Sequence, residues 1–73
     1  SLGDFGVNGV NRELVKSLMK SLPFLELELM LVASEMTSRS ENFKQLAREA
    51  GVWDSFTEQH IGKEMRLISE LNL

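Results

Sequence analysis

The 73-residue sequence predicts an all-α fold, a compact bundle of about four helices with short connections. Apolar residues recur at helical spacing from Val10 onward. Breaks at Pro23, at the polar residues 37–40 and at Gly51 divide the chain into four segments of helix length. Residues 25–29 alternate apolar and acidic side chains as a strand does, but no second strand candidate exists to pair with them.

The small size of the chain predicts a marginal hydrophobic core. A domain of this length buries only about 60% of the surface that its unfolded chain exposes. With no Cys and a single His, neither a disulfide nor a Cys/His zinc site is expected to reinforce it. Efficient helix packing, self-association and docking onto a larger protein remain as sources of stability.

The composition along the chain predicts one domain. Residues 1–9 hold three of the five glycines and show no helical period, so we expect a loosely structured leader there. Residues 10–73 are predicted to form the single helical bundle domain. The chain opens on Ser1 rather than Met, which suggests a piece cut from a longer protein. The longest apolar stretch, residues 29–33, is far short of the ~20 residues that cross a bilayer, so we expect a soluble domain.

The first helix is predicted to begin after Asn11 as N-cap and to end near Leu22, before Pro23. Proline is tolerated in a first turn, so Pro23 can also open the next helix. The apolar residues of the first helix fall within one half of the helical wheel, which predicts a surface helix with one buried stripe. These residues are Val10, Leu14, Val15, Leu18, Met19 and Leu22.

The second predicted helix, residues 24–36, has two apolar faces. One face consists of Leu25, Leu29, Val32, Ala33 and Met36, and the other of Phe24, Leu27, Met30 and Leu31. Such a helix either lies at the centre of its own bundle or packs inward on one face and against a partner on the other. A domain this small has few elements to cover both, so we expect the face that contains Leu27 to be available to a partner.

The third helix, residues 41–50, is predicted to begin at a capping box formed by Ser38 and Glu41, with Ser40 as a rival N-cap. Gly51 stands where a left-handed residue ends a helix, with Val52 folding back on the last turn. The predicted buried stripe of this helix is Phe43, Leu46, Ala47 and Ala50.

The last helix is predicted to run to about Leu71, with Asp54 as its cap, or Ser55 with Glu58 as a capping box. On this helix His60 precedes Glu64 by one turn. The pair fits half of a metal site, an acid–base pair or a surface ion pair. The last interpretation is favoured because no second His or Cys is present.

The charge pattern and the absence of catalytic motifs narrow the function. The net charge is −3 and no run of like charge exceeds two residues, so neither nucleic acid nor a membrane surface is expected as a partner. No nucleophile elbow and no enclosed pair of carboxylates is recognisable. We therefore predict no catalytic residue, metal, cofactor or small-molecule substrate, and no enzyme activity.

One alternative comes from residues 46–52, Leu-Ala-Arg-Glu-Ala-Gly-Val. This run resembles the first helix and turn of the helix-turn-helix motif of bacterial regulators. The resemblance implies a DNA-binding transcriptional regulator that uses residues 41–71. The sequence departs from the motif at Thr57 and His60, because the motif requires apolar residues at these two positions.

The sequence thus predicts a non-enzymatic module for protein–protein contact or self-association, whose partner is another protein or a second copy of the chain. The expected partner-binding residues are the second face of residues 24–36 with two aromatic neighbours. They are Phe24, Leu27, Met30, Leu31, Trp53 and Phe56.

Overall fold

A computed structural model describes residues 9–72 as four helices joined by short connections. They are α1 (Gly9–Ser21), α2 (Phe24–Met36), α3 (Ser40–Glu49) and α4 (Trp53–Leu71). The described residues contain no strand, and the predicted all-α bundle is confirmed. Of the predicted leader, residues 1–8 lie outside the described part of the chain, and Gly9 is the first residue of α1.

The hydrophobic core draws on all four helices and is centred on α3. Its buried residues are Val15, Met19, Leu27, Phe43, Leu46, Ala47, Ala50 and Phe56. Phe43 meets the rings of Trp53 and Phe56 edge-on, with centroids 6.4 and 6.0 Å apart. Aromatic pairs in this arrangement add about 0.5–1.5 kcal/mol each beyond the area they bury. The four core positions predicted for α3 are confirmed.

An ionic cluster on the outside connects α1 to α3. Glu49 accepts hydrogen bonds from Arg12 and from Gln45, and the Lys16 ammonium lies 3.4 Å from the same carboxylate. The hydrogen bond from Arg12 is the largest cause that lowers the pKa of Glu49. These charged side chains therefore lie on the solvent side of the contact between α1 and α3.

Two helices end in the same hydrogen-bonded motif. At the end of α3, Val52 N–H donates to the Ala47 carbonyl and Gly51 N–H to the Arg48 carbonyl, both at 3.0 Å. Gly51 has a φ of 76°, which confirms its predicted left-handed conformation. Three residues are enough to reverse the chain between α3 and α4.

The end of α2 repeats this motif with a serine in place of the glycine. Arg39 N–H donates to the Ser34 carbonyl at 2.6 Å, and Ser38 N–H to the Glu35 carbonyl at 3.3 Å. Ser38 has a φ of 59°. The predicted capping box of Ser38 with Glu41 is therefore wrong, because the left-handed backbone of Ser38 closes α2 instead of opening α3. Ser40, the rival cap, is the first residue inside α3.

The helices α1 and α4 begin two or three residues earlier than the sequence predicted. Asn11 is buried inside α1 and does not precede it, because the helix begins at Gly9. Val52 is the N-cap of α4, so Asp54 and Ser55 lie within the first turn and cap nothing. The prediction for Pro23 is confirmed: its carbonyl accepts the first two backbone hydrogen bonds of α2.

Candidate protein-interaction surface

The two-sided nature of α2 is confirmed, but the side predicted to face outward is the side that packs inward. Leu27 is 6% exposed, and Phe24, Met30 and Leu31 are partly buried against the core. The Phe24 ring lies 5.6 Å from that of Phe56. The physical reason is that this face meets the aromatic side chains of α3 and α4, which fill a core more completely than aliphatic residues alone.

A small residue on the inward face marks its orientation. Ser34, two turns after Leu27, is completely buried, and its hydroxyl donates to the Leu31 carbonyl at 2.7 Å. A small side chain lets neighbouring helices approach closely, and a hydroxyl satisfied within its own helix adds no unpaired polar group to the core. Sequence reasoning missed the position of Ser34 because serine is mostly found at exposed positions.

The two predicted aromatic contact residues also pack inward. Phe56 is 2% exposed and belongs to the core. Trp53 is half-buried beside Phe43, and the Arg48 guanidinium lies 5.3 Å from its ring centre. Of the six predicted partner-binding residues, only Leu31 also lines the surface groove between α2 and α4, and the other five pack toward the core or cover its end. Trp53 covers one end of the core and leaves part of its ring at the surface.

The opposite side of α2 carries a row of large apolar residues that none of the other three described helices covers. We call it the outward stripe: Leu25, Leu29, Val32 and Met36, which are 62, 68, 50 and 81% exposed. Their spacing of four, three and four residues aligns them along one face of the helix. The outward stripe is longer and more regular than the isolated apolar residues that are normal on protein surfaces.

The second half of α4 is also apolar and exposed. Phe56 is its last buried residue, although the helix continues to Leu71. Five large side chains beyond it form what we call the α4 end, and each is 47% exposed or more: Ile61, Met65, Leu67, Ile68 and Leu71. Within residues 9–72, this half of the helix contributes no residue to the hydrophobic core.

A groove of about 510 Å³ lies between α2 and α4. Leu25, Leu29 and Val32 of the outward stripe form part of one wall, and His60 and Lys63 form the other. Glu28 and Glu35 also line it. An apolar floor with charged rims is the usual form of a surface that receives another helix.

The rim of the groove is organised around one carboxylate. Glu28 accepts hydrogen bonds from Lys63 Nζ at 2.8 Å and from His60 Nδ1 at 2.9 Å, and we call these three residues the Glu28 cluster. The hydrogen bond from Lys63 and then that from His60 lower the pKa of Glu28. The side chain of Glu28 is only 14% exposed, so the cluster orients α2 against α4.

The environment of His60 matches an ion pair better than a reactive site. Its ring stacks on Phe56 at 5.8 Å, and Nε2 lies 3.7 Å from Glu64. The predicted contact with Glu64 is present. The stronger partner, Glu28, was missed because it lies 32 positions away and meets His60 only through helix packing. Within residues 9–72, no three His, Cys, Asp or Glu side chains are arranged to hold a metal.

Two further observations complete the description of the surface. None of the helices in the described part of the chain is long and apolar enough to cross a membrane. Residues 41–71 do form helix, turn and helix, but the exposed first turns of α4 carry Asp54 and Glu58. Such acidic side chains repel DNA phosphates.

Comparison of this chain with protein-family models, with curated proteins and with solved structures found no match.

Proposed function

We propose that this domain is a non-enzymatic helical module that binds proteins through the outward stripe and the α4 end. One observation carries the proposal: nine large apolar side chains on two helices are 47% exposed or more. Soluble monomers rarely expose a contiguous apolar patch of more than a few hundred Å², and larger patches mark interaction sites.

The size of this surface fits a specific interface. Nine such side chains present on the order of 900 Å², comparable to the roughly 800 Å² that each partner contributes to a standard interface. Burying apolar area of this order favours association.

Retention of proteins on the immobilised chain tests the proposal. Leu29→Glu places a charge in the middle of the outward stripe at a 68% exposed site, so the monomer stays folded. Leu14→Glu is the matched control, since Leu14 is 53% exposed on α1. Circular dichroism verifies that both variants keep the helical content of the wild type.

We expect Leu29→Glu, and not Leu14→Glu, to abolish the retention of proteins from a cell extract, further copies of the chain included. Equal retention by wild type and Leu29→Glu contradicts the proposal. A parallel gel-shift assay with mixed-sequence DNA at low salt tests the helix-turn-helix alternative. A salt-sensitive shift that Leu29→Glu leaves unchanged would favour that alternative.

A further inference from the structure

We propose that the outward stripe is covered by an amphipathic helix of another protein, one whose own apolar stripe is bordered on both sides by Lys or Arg. This inference rests on the proposed function and specifies the chemistry of the partner. The charges of α2 are what select it. Between Phe24 and Met36 the helix contains three Glu and no Lys or Arg, so every charge that borders the outward stripe on α2 is negative.

Two of these acids, Glu26 and Glu35, lie on opposite sides of the outward stripe. Glu26 precedes Leu29 by three residues and Glu35 follows Val32 by three, so each acid is the neighbour of a stripe residue on the helix surface. Both acids are exposed. Within residues 9–72, neither carboxylate has an ion-pair or hydrogen-bond partner. Their charges are therefore available to a partner.

The charge of the third acid, Glu28, is compensated within the chain. Its carboxylate lies 2.8 Å from Lys63 Nζ and 2.9 Å from His60 Nδ1. Among the described residues that line the groove, Lys63 is the only Lys or Arg, and its pairing with Glu28 leaves no cation there for Glu35. The groove therefore keeps one uncompensated carboxylate on its α2 wall.

Covering the outward stripe removes water from beside Glu26 and Glu35. A carboxylate that loses water without gaining a donor opposes binding, because nothing replaces its hydration. A Lys or Arg on each flank of the covering helix supplies N–H donors and the opposite charge. A helix with neutral or acidic flanks leaves both carboxylates unpaired, as would a second α2. Flanking charges of this kind decide which helices pair with each other.

The C-terminal end of α2 strengthens the preference for a cation. The carbonyl groups of the last turn carry a partial negative charge, and no basic residue stands in that turn of α2. Glu35 belongs to the same turn. A cation of the covering helix that reaches Glu35 therefore also meets the negative end of the α2 dipole, and we expect its contribution to be the larger of the two.

Binding of designed peptides tests the inference. Leu25 and Met36 are about 16 Å apart along the helix axis, so a helical peptide of about 15 residues covers the outward stripe. Three fluorescent peptides with blocked ends share leucines at intervals of four, three and four residues and differ only at the flanking positions, which carry Lys, Gln or Glu. These three residues have similar helix propensities, so the comparison isolates charge. Fluorescence anisotropy measures each affinity.

We expect the Lys peptide to bind about fivefold more tightly than the Gln peptide at ~0.05 M salt, and this preference to be largely lost at ~1 M salt. The Glu peptide should bind most weakly. The double variant Glu26→Gln with Glu35→Gln should lose the preference for Lys. Glu41→Gln is the matched control, because it removes a carboxylate on α3 that lies 3.5 Å from Lys44, and it should keep the preference.

A further variant distinguishes docking on the outward stripe from loose attraction between charges. Leu29→Gln removes an apolar contact without adding a charge, and should weaken binding of all three peptides about tenfold. Circular dichroism verifies that each variant keeps the helical content of the wild type. Equal affinity for the Lys and Gln peptides would overturn the inference, as would a preference for Lys that survives in the double variant or binding that Leu29→Gln leaves unchanged.

The remaining outcomes separate this inference from the proposed function. If the Lys peptide does not bind at about 1 mM, while Leu29→Glu still abolishes retention from the extract, the basic helix is wrong and the proposed function stands. Equal retention by wild type and Leu29→Glu contradicts both. Light scattering on the free chain measures its mass. A dimer whose formation excludes the Lys peptide would assign the outward stripe to a second copy and overturn the inference.

Discussion

Leu27 and Leu29 are two positions apart on α2, yet the structure gives them opposite environments. Leu27 is 6% exposed in the core, and Leu29 is 68% exposed on the outward stripe. Replacement by Ala removes the same atoms and changes helix propensity equally in both cases. At Leu27 it also leaves a cavity, with an expected loss of about 2–5 kcal/mol, whereas at Leu29 we expect a change within about 0.5 kcal/mol.

Urea denaturation followed by circular dichroism measures both values. A domain of this size has a total stability of roughly 4–11 kcal/mol, so Leu27→Ala removes a large part of it. Measurements at low micromolar concentration keep the chain monomeric and separate folding from association. If Leu27→Ala proves too unstable, Leu27→Val and Leu29→Val give the same contrast on the scale of one methylene, about 1 kcal/mol. Equal losses at the two positions would refute the assignment of the inward and outward faces.

Four further substitutions test three separate parts of the fold. Ser38→Gly relieves a left-handed serine and should raise the free energy of unfolding by about 1 kcal/mol. Gly51→Ala adds a methyl group in open space but at a positive φ, and should lower the free energy of unfolding by about 1–2 kcal/mol. Urea denaturation measures both values, and opposite signs would contradict the shared helix-end motif. Ser34→Leu should lower stability by about 1–3 kcal/mol through overpacking, and a neutral result would show that the inward face has spare room. Glu28 has a pKa below its ordinary 4.5, so its stabilising effect is present above that pH and is lost as the pH falls through the folded-state pKa. Thermal melts should therefore find the wild type more stable than Glu28→Gln near neutral pH, with the difference vanishing in acid; a constant difference would contradict the cluster.

Local sequence features predicted the helices and most of their ends. Pro23 and Gly51 act through their own backbone conformations, so their effects are visible without any tertiary information. The role of Ser38 was predicted wrongly. A serine side chain favours the N-cap of the following helix, whereas the left-handed backbone of Ser38, which only the structure shows, closes the preceding helix α2.

The exposed apolar face of α2 lies about half a turn of the helical wheel away from the face that the sequence predicted to be exposed. Periodicity showed that α2 has two apolar faces, but both faces carry large apolar side chains and only contacts with other helices distinguish them. The pairing of Phe24 with Phe56 and the bond between Glu28 and His60 both span more than thirty positions. Such contacts depend on how helices cross, which the spacing within one helix does not encode.

Methyl NMR of the chain, with and without a protein that it retains, tests most directly the central claim that the outward stripe is the contact surface of α2. We expect the methyl signals of Leu25, Leu29 and Val32 to shift on binding, while those of Val15, Leu27 and Leu46 in the core stay fixed. Unchanged outward-stripe signals in the bound state, or shifts confined to the exposed leucines of α1, would contradict the claim.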